Sequence, residues 1–269
     1  MSSRENLRNL DAVVEFSIFP FLQRRSLTGF MSIRLILLVL LSILGLFPFC
    51  PAESGPVRKK FSIKVDKAPP TVQIHYFDPR HPPGDLPRLR TGERGTTVAR
   101  YSRVFNFDID LVSEKREGGT TRVVVVPRSA AIKLSLPIAI WVPEHAPRKL
   151  LRHEDGHRRI HEAVYKDAGA LIKFYGERLK HARFAGRGPD SKQAVVNAYQ
   201  ALGEDLSSIY ERYVYDYSRA VSEEYDLLTG HGTNAMPEEE AIERAFRKHA
   251  SYRVEFDEVL DYYQRASKK

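Results

Sequence analysis

The stretch His153-Glu154-Asp155-Gly156-His157 predicts the helix around which the rest of this chain is arranged. His153 and His157 are four residues apart, about one helical turn, so both imidazoles face the same side and can reach one ion. Glu154 lies beside them, where a carboxylate can orient and deprotonate a metal-bound water. This is the His-Glu-x-x-His pattern, which places two zinc ligands and a general base on one helix.

The surrounding segment, Arg148 to Arg183, has apolar residues at helical spacing, as a half-buried helix requires. They are Leu150, Leu151, Ile160, Val164, Ala168, Leu171 and Ile172. Gly156 costs about 1 kcal/mol relative to alanine inside a helix, so it indicates close approach by another segment or a substrate, or else a tolerated surface position. The alternative for the whole segment is a solvated helix that carries histidines by chance.

His161 continues the four-residue spacing but is predicted not to bind the same ion as His153. The two would lie about 12 Å apart along the helix axis, too far for two ligands at about 2.0 Å from one zinc. His161 is therefore assigned to the rim of the site, behind the ligands, or to the surface. Glycine and histidine do not follow His157 at three and six positions, which excludes the metzincin extension, so the third ligand must come from elsewhere.

The first 52 residues are predicted to lie outside the folded core. Leu35 to Phe49 is an apolar run of about 15 residues, short for a membrane span but typical of a signal peptide. Small residues ending at Ala52 suit cleavage, so residues 31–52 are interpreted as a signal peptide and the mature chain as exported, periplasmic or secreted. Residues 1–30 are interpreted as an N-terminal extension from the gene model, with Met31 as the true start. An uncleaved signal anchor is the alternative.

Cys50 is the only cysteine of the 269 residues, and it lies in the segment predicted to be removed. Disulfides, thiolate metal sites and a cysteine nucleophile are therefore excluded from the mature chain. Any metal must be held by histidine, aspartate or glutamate.

Residues 53–145 are rich in β-branched and aromatic residues separated by turn signals, which predicts a β-rich half. The predicted strands are Phe61–Val65, Thr71–Tyr76, Thr97–Val112, Thr120–Val126 and Ala131–Val142. The last of these comes directly before the site helix, and Pro137 within it favours an edge position. Such a strand would hold a substrate backbone by strand addition, or would be an ordinary edge strand.

Residues 146–269 predict a helical half, so the fold class is α+β. A second long helix runs from about Ser191 to Leu228, with Asp190 or Ser191 as N-cap and Gly230 as the stop. Pro237 to about Ser267 predicts one or two further amphipathic helices. Most tyrosines of the second helix are predicted to pack in the core, and one is a candidate to stabilise a reaction oxyanion. They are Tyr210, Tyr213, Tyr215, Tyr217 and Tyr225.

A second polar motif lies at the C-terminal end of this helix. It contains Tyr225-Asp226, Thr229 and His231-Gly232. A glycine-flanked turn gives His231 the backbone freedom to reach a site on a neighbouring helix, where Asp226 or Thr229 would orient its other nitrogen. The alternative is a C-terminal histidine that is favourable to the helix dipole.

These motifs, together with Leu136-Pro137 to Pro143, resemble a family of bacterial exported proteins described as secreted zinc-dependent proteases, catalogued as a domain of unknown function. The resemblance covers roughly Val72 to Gly232 and includes the family's Tyr-Asp-x-x-Thr-x-His-Gly motif. It implies a zincin-like helical half that carries the active-site helix, and a peptidase activity. The chain departs from the family by lacking cysteines in its β-rich half. It also carries Arg158, Arg159 and His161 after the first motif.

The sequence therefore favours an exported zinc hydrolase acting on a peptide or protein, with Glu154 as general base. The expected Zn²⁺ ligands are His153, His157 and His231, with Asp226 as the alternative third ligand, Glu223 or Glu224 as weaker ones, and Asp226 and Thr229 as residues that orient the ligands. The alternative is a non-catalytic envelope binding protein with a structural or vestigial metal site. The formal charge of +8 suits anionic envelope polymers, whereas export makes nucleic acid an unexpected partner. Membrane contact is expected only through an uncleaved signal segment.

Overall fold

The computed structural model describes residues 14–16, 61–90 and 92–253. Among the described residues, strands dominate from residue 61 to residue 143 and helices dominate afterwards, so the predicted α+β class is confirmed. The predicted signal peptide at residues 31–52 lies outside the described residues, as does the chain after Arg253.

Within the described residues, eight strands form two sheets. They are β1 (Val14–Phe16), β2 (Ser62–Lys67), β3 (Thr71–Phe77), β4 (Thr96–Ala99), β5 (Ser102–Glu117), β6 (Thr120–Ser135), β7 (Pro137–Pro143) and β8 (Phe184–Gly188). The larger sheet has the order β1-β5-β6-β2, with β8 also paired to β6, and the smaller has the order β3-β7-β4. Through β1, three residues of the predicted N-terminal extension pair with β5 in this structure.

The position of β7 corrects one prediction from the sequence. The predicted strand Ala131–Val142 is interrupted at Leu136, and the residues after it form β7 between β3 and β4. The expected edge position of this strand is therefore wrong. Pro137 is tolerated because it is the first residue of β7, where the missing N–H removes little of the ladder. The strand at the edge of this sheet, next to the site helix, is β4.

The helices agree with the predictions apart from two interruptions. They are α1 (Arg148–Lys166), α2 (Ala168–Arg178), α3 (Ser191–Tyr210), α4 (Tyr217–Thr229) and α5 (Glu238–Lys248), with a 3-10 turn at Leu179–His181. Asp167 separates α1 from α2, and a π-helical segment, Glu211–Asp216, joins α3 to α4. No helix in the described part of the chain is long and apolar enough to span a membrane.

The predicted ends of the second helical region are confirmed in detail. The Asp190 carboxylate accepts a hydrogen bond from the Gln193 N–H at 2.8 Å, which caps α3. Gly230 ends α4 with φ +55°, a left-handed conformation that glycine adopts at little cost.

The helices and sheets share the larger of the two hydrophobic clusters among the described residues. Phe105, Ile132, Ile160 and Leu202 are each no more than 1% exposed, and they come from β5, β6, α1 and α3. Full burial of such a side chain stabilises the fold by about 1.5–3 kcal/mol. This packing holds α1 against the sheets and against α4. The polar face of α1 is directed at α4.

Candidate metal centre

The polar face of α1 is buried, which is unusual for two histidines and a glutamate. His153 and Glu154 are each 3% exposed and His157 is 7% exposed. The two imidazole rings lie 4.8 Å apart between centroids. Buried ionisable side chains need partners, and α4 supplies them for the two histidines.

Asp226 of α4 brings the two histidines to a common point. Its Oδ1 lies 3.2 Å from His153 Nε2 and 3.0 Å from His157 Nε2. Ligand atoms at about 2.0 Å from a tetrahedral zinc are separated by about 3.3 Å, so the observed spacing is close to that of three ligands of one ion. The structure thus groups Asp226, and not His231, with the two histidines.

The hydrogen bonds of Thr229 indicate which nitrogen of His153 carries the proton. The Thr229 hydroxyl donates to the Tyr225 carbonyl oxygen at 2.8 Å and lies 3.4 Å from His153 Nδ1. With its proton already donated, the hydroxyl oxygen can only accept from Nδ1–H. A neutral His153 would then present the lone pair of Nε2 to the Asp226 carboxylate. Two electron-rich atoms at 3.2 Å need a proton or a metal ion between them, so the donor set is compatible with a metal ion.

His157 has a corresponding hydroxyl behind it. Its Nδ1 lies 2.7 Å from Ser222 Oγ, while its Nε2 faces Asp226. Ser222 precedes Asp226 by four residues on α4, so one helix face orients the ring and supplies the carboxylate. Both histidines therefore have the Nδ1 contact that fixes ring orientation in metal sites.

Gly156 allows α4 to approach α1. A Cβ at this position would lie 2.2 Å from the Tyr225 hydroxyl oxygen, so a larger residue would have to displace Tyr225. Tyr225 stacks on His153 with ring centroids 5.1 Å apart and directs its hydroxyl to the His153 carbonyl at 3.3 Å. The close approach expected from Gly156 is therefore made by another segment of the chain.

The turn after α4 packs on the same histidine. A Cβ on Gly232 would lie 2.8 Å from His153 Cγ, and Gly232 adopts φ +73°. His231, directly before it, has φ +53° and places Nδ1 3.5 Å from Asp226 Oδ1. Its imidazole falls in a second group of ligand-type side chains, with Glu93 and Asp226.

Glu154 is held by the edge strand β4. The Thr97 hydroxyl lies 2.8 Å from Glu154 Oε2, and Gly95 comes so close that a Cβ there would lie 3.1 Å from Oε1. Burial raises the pKa of Glu154, while the His157 charge and the Thr97 hydrogen bond oppose the rise. A carboxyl group in this environment can accept a proton and release it again.

The pKa of Asp226 is shifted in the opposite direction to that of Glu154. Burial raises the pKa of Asp226, but hydrogen bonds from His153 and His157 outweigh it and hold the pKa below its ordinary value. Asp226 therefore stays ionised and supplies negative charge at the point where the imidazoles meet.

These side chains lie at the base of a cleft of about 340 Å³. One wall is β4 with the loop before it, and the other is the face of α4 that carries Arg219 and Ser222. Tyr215 is the cleft-lining member of the tyrosine set considered for oxyanion stabilisation, whereas the Tyr225 hydroxyl is packed against α1. The cleft leads from solvent to Glu154.

His161 also lines this cleft but is 9% exposed and lies beside Tyr101 rather than Asp226. The Tyr101 hydroxyl is 3.1 Å from His161 Nδ1. Burial lowers the pKa of His161 to about 3, and the His157 charge adds to the lowering. Of the three positions considered for His161, the surface is excluded.

Sequence reasoning missed Thr97, Ser222 and Glu93. Ser222 could have been found from its four-residue spacing to Asp226, but the other two come from the β4 region, which carries no local signal for a site. Of the weaker ligand candidates, Glu224 pairs with Lys248 at 2.5 Å and is not grouped with the histidines. Glu223 lines the cleft and lies 3.5 Å from an Arg219 nitrogen.

Comparison of this chain with known protein families, with curated proteins and with solved structures found no match.

Proposed function

We propose that this protein is an exported zinc-dependent hydrolase, and specifically a metallopeptidase. One observation carries the proposal: His153, His157 and Asp226 converge, with Glu154 beside them, at the base of an open cleft. The residues His153, His157 and Asp226 would hold the zinc. Three protein ligands leave a position for water, which is the pattern of catalytic rather than structural zinc sites.

Zinc held there would lower the pKa of its bound water to about 7 and polarise the scissile carbonyl. Glu154 would accept the water proton on its carboxylate and pass it to the leaving amine. Burial suits Glu154 to this role because it raises the pKa of the carboxyl group. Thr97, which contacts Oε2, would keep the carboxylate aimed into the cleft.

The position of the edge strand β4 favours a peptide as the substrate. It pairs with β7 on one side, and its four residues all line the cleft. An extended peptide can add to such an edge through main-chain hydrogen bonds. We propose a zincin-like arrangement for the helical half. It consists of the site helix, a second helix that provides the third ligand, and an antiparallel edge strand.

The test is Glu154→Gln in the purified full chain, assayed on a mixture of unstructured peptides by mass spectrometry. We expect turnover to fall by at least about 100-fold while zinc content is unchanged, because the ligands remain and the base is lost. Glu162→Gln is the matched control, since Glu162 lies on the same helix and pairs with Arg158 at 2.6 Å. It should retain full activity.

Two results would contradict the proposal. Undiminished turnover in Glu154→Gln would show that Glu154 takes no part in the reaction. Wild-type protein that stays free of zinc after reconstitution would contradict the hydrolase proposal altogether. The latter result would favour a non-catalytic envelope binding protein.

A further inference from the structure

A second group of ligand-type side chains shares Asp226 with the first. Ligand atoms of Glu93, Asp226 and His231 all lie within 4.8 Å of one another. Glu93 comes from the loop between β3 and β4, and His231 from the left-handed turn after α4. The proposed hydrolase gives neither Glu93 nor His231 a role.

One ring nitrogen of His231 is buried without a hydrogen-bond partner in the described part of the chain. The His231 side chain as a whole is 38% exposed, but its Nδ1 atom is buried, has no hydrogen-bond partner among the described residues and lies 3.5 Å from Asp226 Oδ1. A buried nitrogen without a hydrogen-bond partner is destabilising. Within the described part of the chain, His231 is also the one non-glycine residue with positive φ, which adds backbone strain. A cation at Nδ1 would give this nitrogen the partner that it lacks.

Glu93 is held in position rather than free in solvent. Its side chain is 15% exposed, and its Oε2 accepts a hydrogen bond from the Arg90 N–H at 2.7 Å. The Arg90 guanidinium lies further away, with Nε 3.9 Å from Glu93 Oε1. A carboxylate has about four lone-pair directions, so this loop contact leaves the group able to bind a cation.

We infer that Glu93, Asp226 and His231 form a second divalent-cation site, in which Asp226 bridges to the ion held by His153 and His157. Two carboxylates and one imidazole suit zinc or manganese. Paired ions that share a carboxylate are found in hydrolases, where they stabilise the attacking and leaving oxygens. The inference deepens the proposed function and rests on it only through the shared Asp226.

The experiment is a titration of the metal-free full chain with Zn²⁺ in competition with a chromophoric chelator, with stoichiometry read by native mass spectrometry. We expect two zinc ions per wild-type chain and one in Glu93→Gln and in His231→Ala. His157→Ala should also keep one, at the Glu93 site. Glu204→Gln is the control, because Glu204 is an exposed carboxylate on α3, and it should keep two.

Each other result has a defined meaning. One zinc in the wild type that is lost in His157→Ala and kept in Glu93→Gln overturns the second site and leaves the proposed hydrolase standing. One zinc kept in His157→Ala and lost in Glu93→Gln supports the second site and counts against the first. No zinc overturns both. Circular dichroism of each variant shows that it is folded, and Glu93→Asp, which keeps the charge, should recover part of the second equivalent.

Discussion

His157 and His161 lie one turn apart on the same face of α1, and both are almost completely buried, with 7% and 9% exposure. His157 meets Asp226 and Ser222 of α4, whereas His161 meets the hydroxyl of Tyr101. An ionised carboxylate can hold a cation together with an imidazole, while a phenol in this position leaves the imidazole neutral. The comparison teaches that residue type and helix face do not distinguish a candidate metal ligand from a structural histidine. The partner across the interface does.

The strongest test of this comparison is to remove each imidazole in turn. His157→Ala should lose the zinc equivalent bound with His153 and Asp226, because two of three ligands do not form a tight site. His161→Ala should keep its full zinc content. Elemental analysis of both variants, purified in parallel, gives the answer. Equal zinc loss in the two would mean that His161 contributes to the ion and that the comparison fails.

A second test disturbs only the interface on the His157 side. Gly156→Ala should destabilise the metal-free protein by about 3 kcal/mol, because the new Cβ would lie 2.2 Å from the hydroxyl of the fully buried Tyr225. Gly169→Ala is the control, since the nearest atom there is 3.4 Å away on the flexible Lys67 side chain. It should be neutral or stabilising by up to about 1 kcal/mol. Urea denaturation measures both, and equal effects would contradict the role of Gly156.

Two serines on α4 give a finer comparison. Ser222→Ala removes the hydroxyl 2.7 Å from His157 Nδ1 and should weaken zinc binding by about 10–100-fold. Ser218, one turn earlier, donates to the Tyr215 carbonyl oxygen at 2.8 Å and lines the cleft near His161. Ser218→Ala should therefore leave zinc affinity unchanged. Chelator competition distinguishes the two, and similar affinities in both variants would remove the orienting role of Ser222.

The smallest expected effect is a pH dependence from His161. Burial lowers its folded-state pKa from 6.5 to about 3, so the unfolded chain takes up a proton first as the pH falls below 6.5. The stabilisation is complete above that value and is lost progressively down to pH 3. Between pH 7 and 5.5, the metal-free wild type should lose about 1 kcal/mol more unfolding free energy than His161→Gln. If the unfolding free energies of the wild type and His161→Gln, measured in urea, change with pH in parallel, this assignment is contradicted.

Local patterns predicted much of the scaffold and half of the site. The α1 helix, the Asp190 cap, the Gly230 stop and the α+β class follow from periodicity and turn chemistry, which act over a few residues. The position of β7 did not follow, because Pro137 signals only a missing donor and says nothing about which strands lie on either side. The strand β8 and the π-helical segment Glu211–Asp216 were also missed. The strand β8 depends on pairing with β6, which is distant in the sequence.

The sequence by itself determined that two histidines and a glutamate lie on one helix, and that Asp226 and His231 follow at the end of another. It left open which of these last two completes the proposed zinc site, since both are close in sequence and either can bind zinc. Only the tertiary structure separated them: it places Asp226 between the two imidazoles and His231 with Glu93. The physical reason is that ligation needs atoms within a few ångströms in three dimensions, and the Gly156–Tyr225 contact sets how closely α4 approaches α1.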